Sequence, residues 1–552
     1  MRKIKLSTIA LLGVSAIVAS SCGKSSEPGR GPISFWHNFG NNYTNWLNES
    51  FIDPLLANDD LNVKQEGKGG YDGLLTELTM NLTSETYPNI ATGYPDHFSK
   101  YARFGYPASI TGTLVNLDTY LNDSALNEAH RAKYGYSILE DYYPEYMKEN
   151  QEISYDKDDN PITIGLPFNK STEVMGYNGV FVDFVKANEA TYGHVEVPKT
   201  WAEWQEYGPR FRKAQIDLVG NCLNGDQTPE GTASNFSITA APTDRTLLDF
   251  REVEAAKSAV LSWDSMANMF ITLVRQYGAE FTSYSAADRK SEKIADRHGY
   301  MEFWSGDYKA KTQEAMEMVL SLSGDTSDIY KTIFASPSTF GSSYSSDAFA
   351  KNKVLFTICS TGGLSYNINS GQRFRIAPVP YRDAEHKYVI SQGANIAIFD
   401  QGCILSPGKY TAKEMADMSF EAIVKMTTGE YQAAFAAKTG YFPASKSATN
   451  SQTYQSFING TPDYSDKIAT AYREGAKLNE TEYMNAANAW KKFVDPGFEG
   501  SAAIRKASES IVNACIANQK IEGGGTRTPV ESIVYTLDGV YANSDLSKYI
   551  RK

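Results

Sequence analysis

Reactive-centre chemistry is thinly represented in this chain. Its 552 residues include six histidines and five cysteines, with no CxxC pair, no HExxH and no GxSxG. Zinc ribbons, zincin proteases and α/β-hydrolases are thereby left without their ligands or nucleophile. No two histidines stand at i, i+4 and no Cys/His cluster has zinc spacing, so neither a metal nor a cofactor is expected. Clustered positive charge is also missing. The net charge is −12 with lysine and arginine scattered, which excludes a nucleic-acid partner, since that binding rests on grouped cations neutralising phosphates. No repeat of 20 to 50 residues is visible, which removes solenoids and propellers. Beyond the N-terminus no apolar run approaches the roughly 20 residues of a membrane span, and the composition is 41% hydrophobic with mean hydropathy −0.40.

Three stretches imitate nucleotide or metal loops and fail on chemistry. Gly67, Gly69, Gly70 and Gly73 fall between an expected strand and helix, but GxGxxG would need glycine where Asp72 stands, a carboxylate that would repel pyrophosphate. Asn169, Lys170, Ser171 and Thr172 echo the end of a phosphate loop without the glycine before its lysine. Asp156, Asp158 and Asn160 are spaced as in a calcium loop, yet Pro161 replaces its glycine and Pro167 its bidentate glutamate. Carboxylates are abundant, so a glycosidase pair is left open by sequence.

What is present begins at the N-terminus. Arg2, Lys3 and Lys5 precede a short apolar run, Leu6 to Ala19, followed by Ser20, Ser21 and Cys22. Residues 1–21 read as a signal peptide. Small residues ending in Cys22 resemble a bacterial lipobox, with Ala19 where leucine is usual; an ordinary secretory signal is the alternative. Acyl chains on Cys22, at about 0.8 kcal/mol per buried CH₂, would be the mature chain's membrane anchor. Residues 22–31 contain GKSSEPGRG, which lacks apolar periodicity and reads as a tether. Roughly 520 residues follow, enough for two to four domains of about 100 to 200 residues. Cys222, Cys359, Cys403 and Cys515 admit three disulfide connectivities, but a core of this size does not need them; Cys359 reads as a buried strand residue.

Periodicity alternates between strand and helix. Ile33 to His37 is a β-branched and aromatic strand; Tyr43, Trp46, Leu47 and Phe51 recur at helical spacing until Pro54. Leu61, Val63 and Gln65 alternate, Leu74, Leu75, Leu78 and Leu82 share a helix face, and Ile90 to Thr92 is a third strand. Glu152 to Tyr155 and Ile162 to Gly165 flank a hairpin turn. Thr200 and Glu203 form a capping box before Trp201, Trp204 and Phe211. Trp263, Met266, Phe270, Leu273, Val274 and Tyr277 fill one helical face, Val354 to Cys359 is a buried strand, and a helix from about Thr411 to Thr428 is closed by Gly429. The fold class is α/β, with βαβ units and mostly parallel sheets flanked by helices.

Five segments, in order, then carry a likeness: ISFWHNFG at 33–40; PNIATGYPDHFSKY at 88–101; LPFNKSTEVMGYN at 166–178 with PKTWAEW at 198–204; STGGLSYN at 360–367 with GANIAIF at 393–399; and TGYFP at 439–443 with PGFEGSAAIR at 496–505. Together they resemble the extracellular solute-binding proteins of ABC importers, the family that takes up sugars, oligosaccharides and glycerophosphate compounds, maltose-binding-protein-like. The resemblance implies a periplasmic-binding-protein-like fold of two discontinuous lobes joined by hinge strands. The first lobe is expected at 31–169 plus 392–450 and the second at 170–391 plus 451–552, with crossovers near Asn169 to Glu173 and Ser391 to Asn395. It further implies a monomeric, extracytoplasmic receptor, not an enzyme, that is held on a bacterial membrane by its lipid and delivers a carbohydrate to permease subunits. A receptor for glycerol phosphate or a related phosphorylated polyol, using His37, Lys170 and Arg505, is the alternative; a surface-anchored glycoside hydrolase or an adhesin would be a different class.

Ligands bind at the C-terminal ends of strands in such sheets, which selects Trp36, His37 and Asn38 after the first strand and Tyr94 and Asp96 after the third. Sugar hydroxyls call for carboxylates and amides, and sugar C–H faces for aromatic rings; the chain has seven tryptophans and 35 tyrosines. Phe35 and Trp36 point to opposite faces, so one of them must be core. Trp46, Trp201, Trp204 and Trp263 read as core. Carried over from the family's motifs are Asn169, Thr172 and Glu173, then Ser360, Thr361, Gly362 and Gly363, then Asn395, Tyr441, Phe498 and Arg505. Glycines after a strand let a backbone approach a ligand, although a simple tight turn would use the same residues.

Overall fold

The computed structural model of the chain describes residues 29–102, 113–151, 153–155, 160–223, 253–285, 288, 299–324, 328–368, 374–461, 466–498, 500–522 and 524–551. The signal segment with Cys22, the turn at Asp156 to Asp158, and the accessibility of Cys222 lie outside what is described.

β-Branched and aromatic residues build the first strand, β1 (Arg30–His37), which starts inside the expected tether because the Arg30 guanidinium forks onto Glu421 at 3.0 and 3.2 Å. β1 pairs in parallel with β2 (Leu61–Gly67) and β3 (Ile90–Gly93). With β10 (Asn395–Ile398) and β4 (Leu166–Pro167), both added by antiparallel pairing, they form a five-stranded sheet ordered β2-β1-β3-β10-β4. Between β1 and β2 the chain stays helical through Pro54: a wide turn, Asn48–Ile52, separates Asn41–Leu47 from Asp53–Asp59. Proline is tolerated there because the first turn of a helix needs no N–H from it. Helix α1 (Gly70–Ser84) buries Leu74, Leu78 and Leu82, while α2 (Pro95–Ala102) follows β3 and α3 (Pro144–Gln151) precedes β4. Ser154–Tyr155 and Pro161–Ile162 pair as the expected hairpin.

The second sheet is ordered β11-β9-β5-β7-β6, with β8 also on β5. Its strands are β5 (Ser171–Asn178), β6 (Leu261–Trp263), β7 (Phe356–Ser360), β8 (Phe374–Ala377), β9 (Tyr388–Gln392) and β11 (Lys491–Phe493). Helix α4 (Gly179–Ala187) follows β5, and α5 (Trp201–Leu223) starts at the expected capping box, where the Glu203 N–H donates to Thr200 Oγ1 at 3.1 Å. Helix α6 begins at Met266 and ends at Gln276, so Trp263 belongs to a strand and not to that helical face, although it is fully buried. Helix α7 (Tyr308–Ser323) completes this side. Apolar side chains of the two sheets sit in separate cores, one around Val174, Trp204, Phe270 and Phe356, the other around Phe35, Phe51, Phe168 and Ile398. The molecule is therefore two-lobed.

Helix α8 (Ala412–Thr427) carries the Thr411–Glu414 capping box, and α9 (Gly429–Thr439) begins at Gly429. That glycine opens a helix instead of closing one: its φ is +57° and a Cβ there would meet the Tyr134 ring at 2.6 to 2.8 Å. Helix α10 (Gln452–Asn459) buries Tyr454 and Ile458 with Ala433, Ala436 and Phe442, so the chain expected in the second lobe from 451 still packs beside the first. Helices α11 (Lys467–Leu478), α12 (Ser501–Ala517) and α13 (Pro529–Tyr541) follow. Among the described residues no helix is long and apolar enough to cross a membrane.

Candidate functional site

Two strands of chain run side by side between the sheets. From β4 the chain passes through Phe168 to Lys170 into β5, and from β9 it returns through Gly393 and Ala394 into β10. The N–H groups of Phe168 and Asn169 both donate to the Ala394 carbonyl, at 3.1 and 3.2 Å. Gly393 has φ +103°, and a Cβ on it would stand 1.9 Å from the Asn169 carbonyl oxygen, so only glycine lets these segments touch. Thr172 and Asn395 hold this crossing. Thr172 Oγ1 donates to the Ile390 carbonyl at 2.8 Å. Asn395 Oδ1 accepts from Asn150 Nδ2 at 3.1 Å and from Lys170 Nζ at 3.2 Å.

The first lobe brings aromatic and amide groups to the seam from the ends of its strands. Tyr71 opens α1 and Tyr94 follows β3; their rings stack with centroids 4.1 Å apart and planes 18° apart. The hydroxyl of Tyr71 reaches both Tyr94 and Asn38, while Asn38 Oδ1 accepts from Thr92 Oγ1 at 3.0 Å. Asp96 stands in the first turn of α2, where its Oδ1 accepts the His97 N–H at 3.0 Å, a favourable place for a carboxylate. Tyr43 and Tyr441 complete this wall.

The second lobe answers with a turn and a buried acid. Ser360 Oγ accepts the Gly362 N–H at 3.3 Å and caps the 3₁₀ turn Thr361–Asn367. Tyr43 Oη donates across the seam to the Gly362 carbonyl at 2.9 Å, and a Cβ at Gly362 would lie 2.7 Å from the Tyr441 ring. Gly363 faces open space. Glu173 Oε1 accepts from Trp263 Nε1 at 2.9 Å and Asn268 Nδ2 at 2.8 Å. Its Oε2 is buried without a partner, and burial pushes the carboxyl up to about 7, since a charge is costly where water is excluded. Arg505 on α12 donates to Asn268 Oδ1.

A cavity of about 70 Å³ separates the walls, lined by Tyr94, Asp96, Thr282, Gln392, Asp495 and Arg505 among others. Around this seam stand buried polar atoms with no hydrogen-bond partner, Thr361 Oγ1, Gln392 Oε1, Thr282 Oγ1 and Glu173 Oε2, and the Asn169 amide lies beside the Tyr441 hydroxyl. Each orphaned buried group costs about 1 to 3 kcal/mol, so a cluster of them along one seam marks where a polar ligand would repay desolvation. No group of three or more metal-ligating side chains is found among the described residues.

Some expected residues are elsewhere. Trp36, only 8% exposed, packs with Leu74, Leu78 and Phe98 in the core beneath α1, with the Lys68 ammonium 3.9 Å over its ring. Both Phe35 and Trp36 are core because helices cover both faces of this sheet. His37 is fully buried; its Nε2 lies 2.6 Å from Gln65 Oε1, its Nδ1 accepts from the Phe39 N–H at 3.2 Å, and burial holds its imidazole below the ordinary histidine value. Phe498 is buried in the second lobe beside Tyr284 and Tyr549. Lys170 is fully buried and paired with Glu149 at 2.6 Å. The seam brings together Asn38, Tyr94, Asp96, Asn169, Glu173, Thr361, Gly362, Tyr441 and Arg505. Sequence reasoning missed Tyr43, assigned to an apolar helix stripe, and Tyr71, whose place directly after the Gly69–Gly70 pair was the available signal. Asn268 and Glu149 lie in helices and gave none.

Residues 51–459 match the family described as bacterial extracellular solute-binding protein. No curated protein matches by sequence. Among solved structures, UgpB from Mycobacterium tuberculosis in complex with glycerophosphocholine superposes with a TM-score of 0.57 at 16% identity, over 93% of this chain and 98% of that one. The GacH receptor of Streptomyces glaucescens, solved unliganded and with acarbose, gives 0.55 at 13% identity over 94% and 99%. An ABC substrate-binding protein of Listeria monocytogenes in complex with cycloalternan gives 0.56 at 13% over 92% and 98%. At these identities the likeness is one of fold.

Proposed function

We infer that this chain, which belongs to the bacterial extracellular solute-binding protein family, captures a neutral carbohydrate between its lobes and delivers it to the permease of an ABC importer. The observation that carries the reading is the row of unpartnered buried amide, hydroxyl and carboxyl atoms beside the Tyr71–Tyr94 stack. Hydroxyls both donate and accept, and sugar C–H faces lie against rings, so that mixture of groups suits a sugar.

Charge favours a neutral ligand over a phosphorylated one. Of the three cations expected for a phosphate site, His37 is buried beside Gln65 and Lys170 is neutralised by Glu149. Of these three only Arg505 reaches the cavity, which Asp96, Glu149 and Asp495 also line, Glu149 held by Lys170 and Asp495 by Arg275. A phosphate there would meet the Asp96 carboxylate beside its one guanidinium. In this reading the lobes rotate about the paired segments at 168–171 and 391–395 and close over the ligand. The mature chain works as a monomer tethered through lipidated Cys22 on the outer side of a bacterial membrane, and the sugar leaves it unmodified.

A thermal-shift series with maltose, maltotriose, mannotriose and glycerophosphocholine tests the reading, because a ligand that binds only the folded form raises the midpoint. A rise with a saccharide, recovered intact by mass spectrometry, is expected. A rise with glycerophosphocholine alone, or cleaved saccharide, would overturn it.

A further inference from the structure

The guanidinium at the cavity wall has most of its donors unused. Arg505, in the second turn of α12, lines the cavity with Tyr94 and Asp96 of the first lobe. A guanidinium carries five N–H donors, and among the described residues the one hydrogen bond this side chain makes is to Asn268 Oδ1. Asp495, which lines the same cavity, is taken by Arg275 at 2.9 Å. Asn268 is itself fixed on every side. It lies in the first turn of α6, 2% exposed, where Ser265 Oγ accepts its backbone N–H at 3.2 Å. Its Nδ2 donates to Glu173 Oε1 at 2.8 Å, an oxygen that also accepts the Trp263 indole N–H at 2.9 Å. Glu173 is held in turn by its place in β5 opposite Ser360 and by Tyr483 Oη, which donates to its carbonyl at 3.0 Å. An indole N–H and a guanidinium can only donate, so Asn268 must turn Oδ1 to Arg505 and Nδ2 to Glu173; a flipped amide would set donor against donor.

We propose that Asn268 is a positioning residue for the ligand: it holds the Arg505 guanidinium at the cavity wall and leaves its other N–H groups to hydroxyls bound between Arg505 and Asp96. An amide suits this task better than a carboxylate. It accepts one N–H and leaves the charge and the remaining donors to the cavity, whereas a carboxylate takes the planar fork bidentately and neutralises it. Neighbouring hydroxyls of a sugar ring can accept from the fork and donate to Asp96, so that a cation of the second lobe and an anion of the first grip one ligand. Without its anchor the long arginine side chain samples many rotamers, and ordering it at the moment of binding subtracts from affinity.

The same row links the cavity to an indole. Trp263 is fully buried and stands three hydrogen bonds from Arg505, through Glu173 and Asn268. Hydrogen bonds in a row polarise one another. Loss of the guanidinium therefore weakens the donation from Asn268 to Glu173 and alters the bond that Glu173 accepts from Trp263, while a side chain at 268 without an amide cuts that connection.

The proposal rests on the reading of the cavity as a saccharide site, and its deciding measurement uses no ligand. In a chain isotope-labelled at its tryptophans, with the Trp263 indole resonance assigned through Trp263→Phe, Arg505→Ala is expected to shift that resonance. In an Asn268→Leu background, similar in size but without the amide, Arg505→Ala should shift it no further. Calorimetry with maltotriose should show Asn268→Leu weakening binding about 2- to 10-fold, with the double variant binding no worse than Arg505→Ala alone, a non-additivity that a merely structural asparagine would not produce. If Asn268→Leu misfolds, the shift caused by Arg505→Ala in the otherwise unaltered chain still decides. A Trp263 resonance indifferent to Arg505→Ala, or an affinity loss from Asn268→Leu as large without Arg505 as with it, would overturn the proposal. Maltotriose without effect would count against the carbohydrate reading and leave the resonance to decide this one.

Discussion

Gly362→Ala tests the seam with a single methyl group. The backbone there lies outside the left-handed region, so alanine costs nothing locally, but its Cβ would stand 2.7, 2.8 and 3.1 Å from Cζ, Cε1 and Oη of Tyr441. That ring cannot swing away freely: Phe39 packs edge-on at 6.1 Å and Tyr43 lies at 6.4 Å. Tyr441 belongs to the first lobe and Gly362 to the second, so the clash exists only when the lobes are closed. Overpacking of this kind costs about 1 to 3 kcal/mol, and pushing the walls apart also strains the 2.9 Å bond from Tyr43 to the Gly362 carbonyl. At 1.4 kcal/mol per decade the closed form, and with it ligand affinity, should fall about 5- to 150-fold. The thermal midpoint of the ligand-free chain should scarcely move, because neither core is touched. Gly363→Ala is the control, since its Cβ would meet nothing within 4 Å. Calorimetry with whichever saccharide raises the midpoint, together with scattering of the ligand-bound chain, reads both quantities. Equal affinities for wild type, Gly362→Ala and Gly363→Ala would refute closure through this contact.

Asp96→Ala should weaken saccharide binding by about 1 to 3 kcal/mol, the cost of unmade buried hydrogen bonds, whereas a phosphorylated ligand would bind Asp96→Ala better and Arg505→Ala far worse; calorimetry on the two variants separates these cases. Glu173 holds its proton up to about pH 7 in the folded chain and only to about 4.5 unfolded, so stability falls as pH rises from about 4.5 to 7 and stays low above. Glu173→Gln removes that fall and should be more stable than wild type above pH 7, by up to roughly 3 kcal/mol, with little difference near pH 4; thermal midpoints that rank the variant below wild type at about pH 8 would contradict the buried, unpartnered Oε2. Cys22→Ser should release the mature protein from membranes with its affinity unchanged, and a variant that still sediments with membranes would rule out the lipid anchor.

Patterns of period and motif carried much of this protein into view before any coordinates. The alternation of strands and helices, the capping box at Thr200, the helix start near Thr411 and the buried strand ending at Cys359 follow from local rules, because backbone hydrogen bonding and the burial of one face act over a few residues. The five motif segments point to two lobes and to the strand ends at the seam, where Asn38, Tyr94, Asp96, Glu173 and Gly362 stand. Hydrophobic stripes were less decisive for tryptophans: Trp263 was assigned to a helix face, yet it ends a strand and spends its indole N–H on Glu173.

By itself, then, the sequence determined the α/β class, the order of elements and the family to which the chain belongs, since each of these depends on local periodicity or on short motifs in series. Tertiary structure alone decided which side chains face the seam and in what charge state. Trp36 became core because helices cover both sides of its sheet, and His37 became neutral because no carboxylate follows it into burial. Lys170 found Glu149 across 21 residues of chain and Lys492 found Tyr146 across 346. Whether a buried cation is paired or unpaired, and whether a polar atom is satisfied or left open to a ligand, depends on what distant segments bring to within about 3 Å, and no local pattern records that.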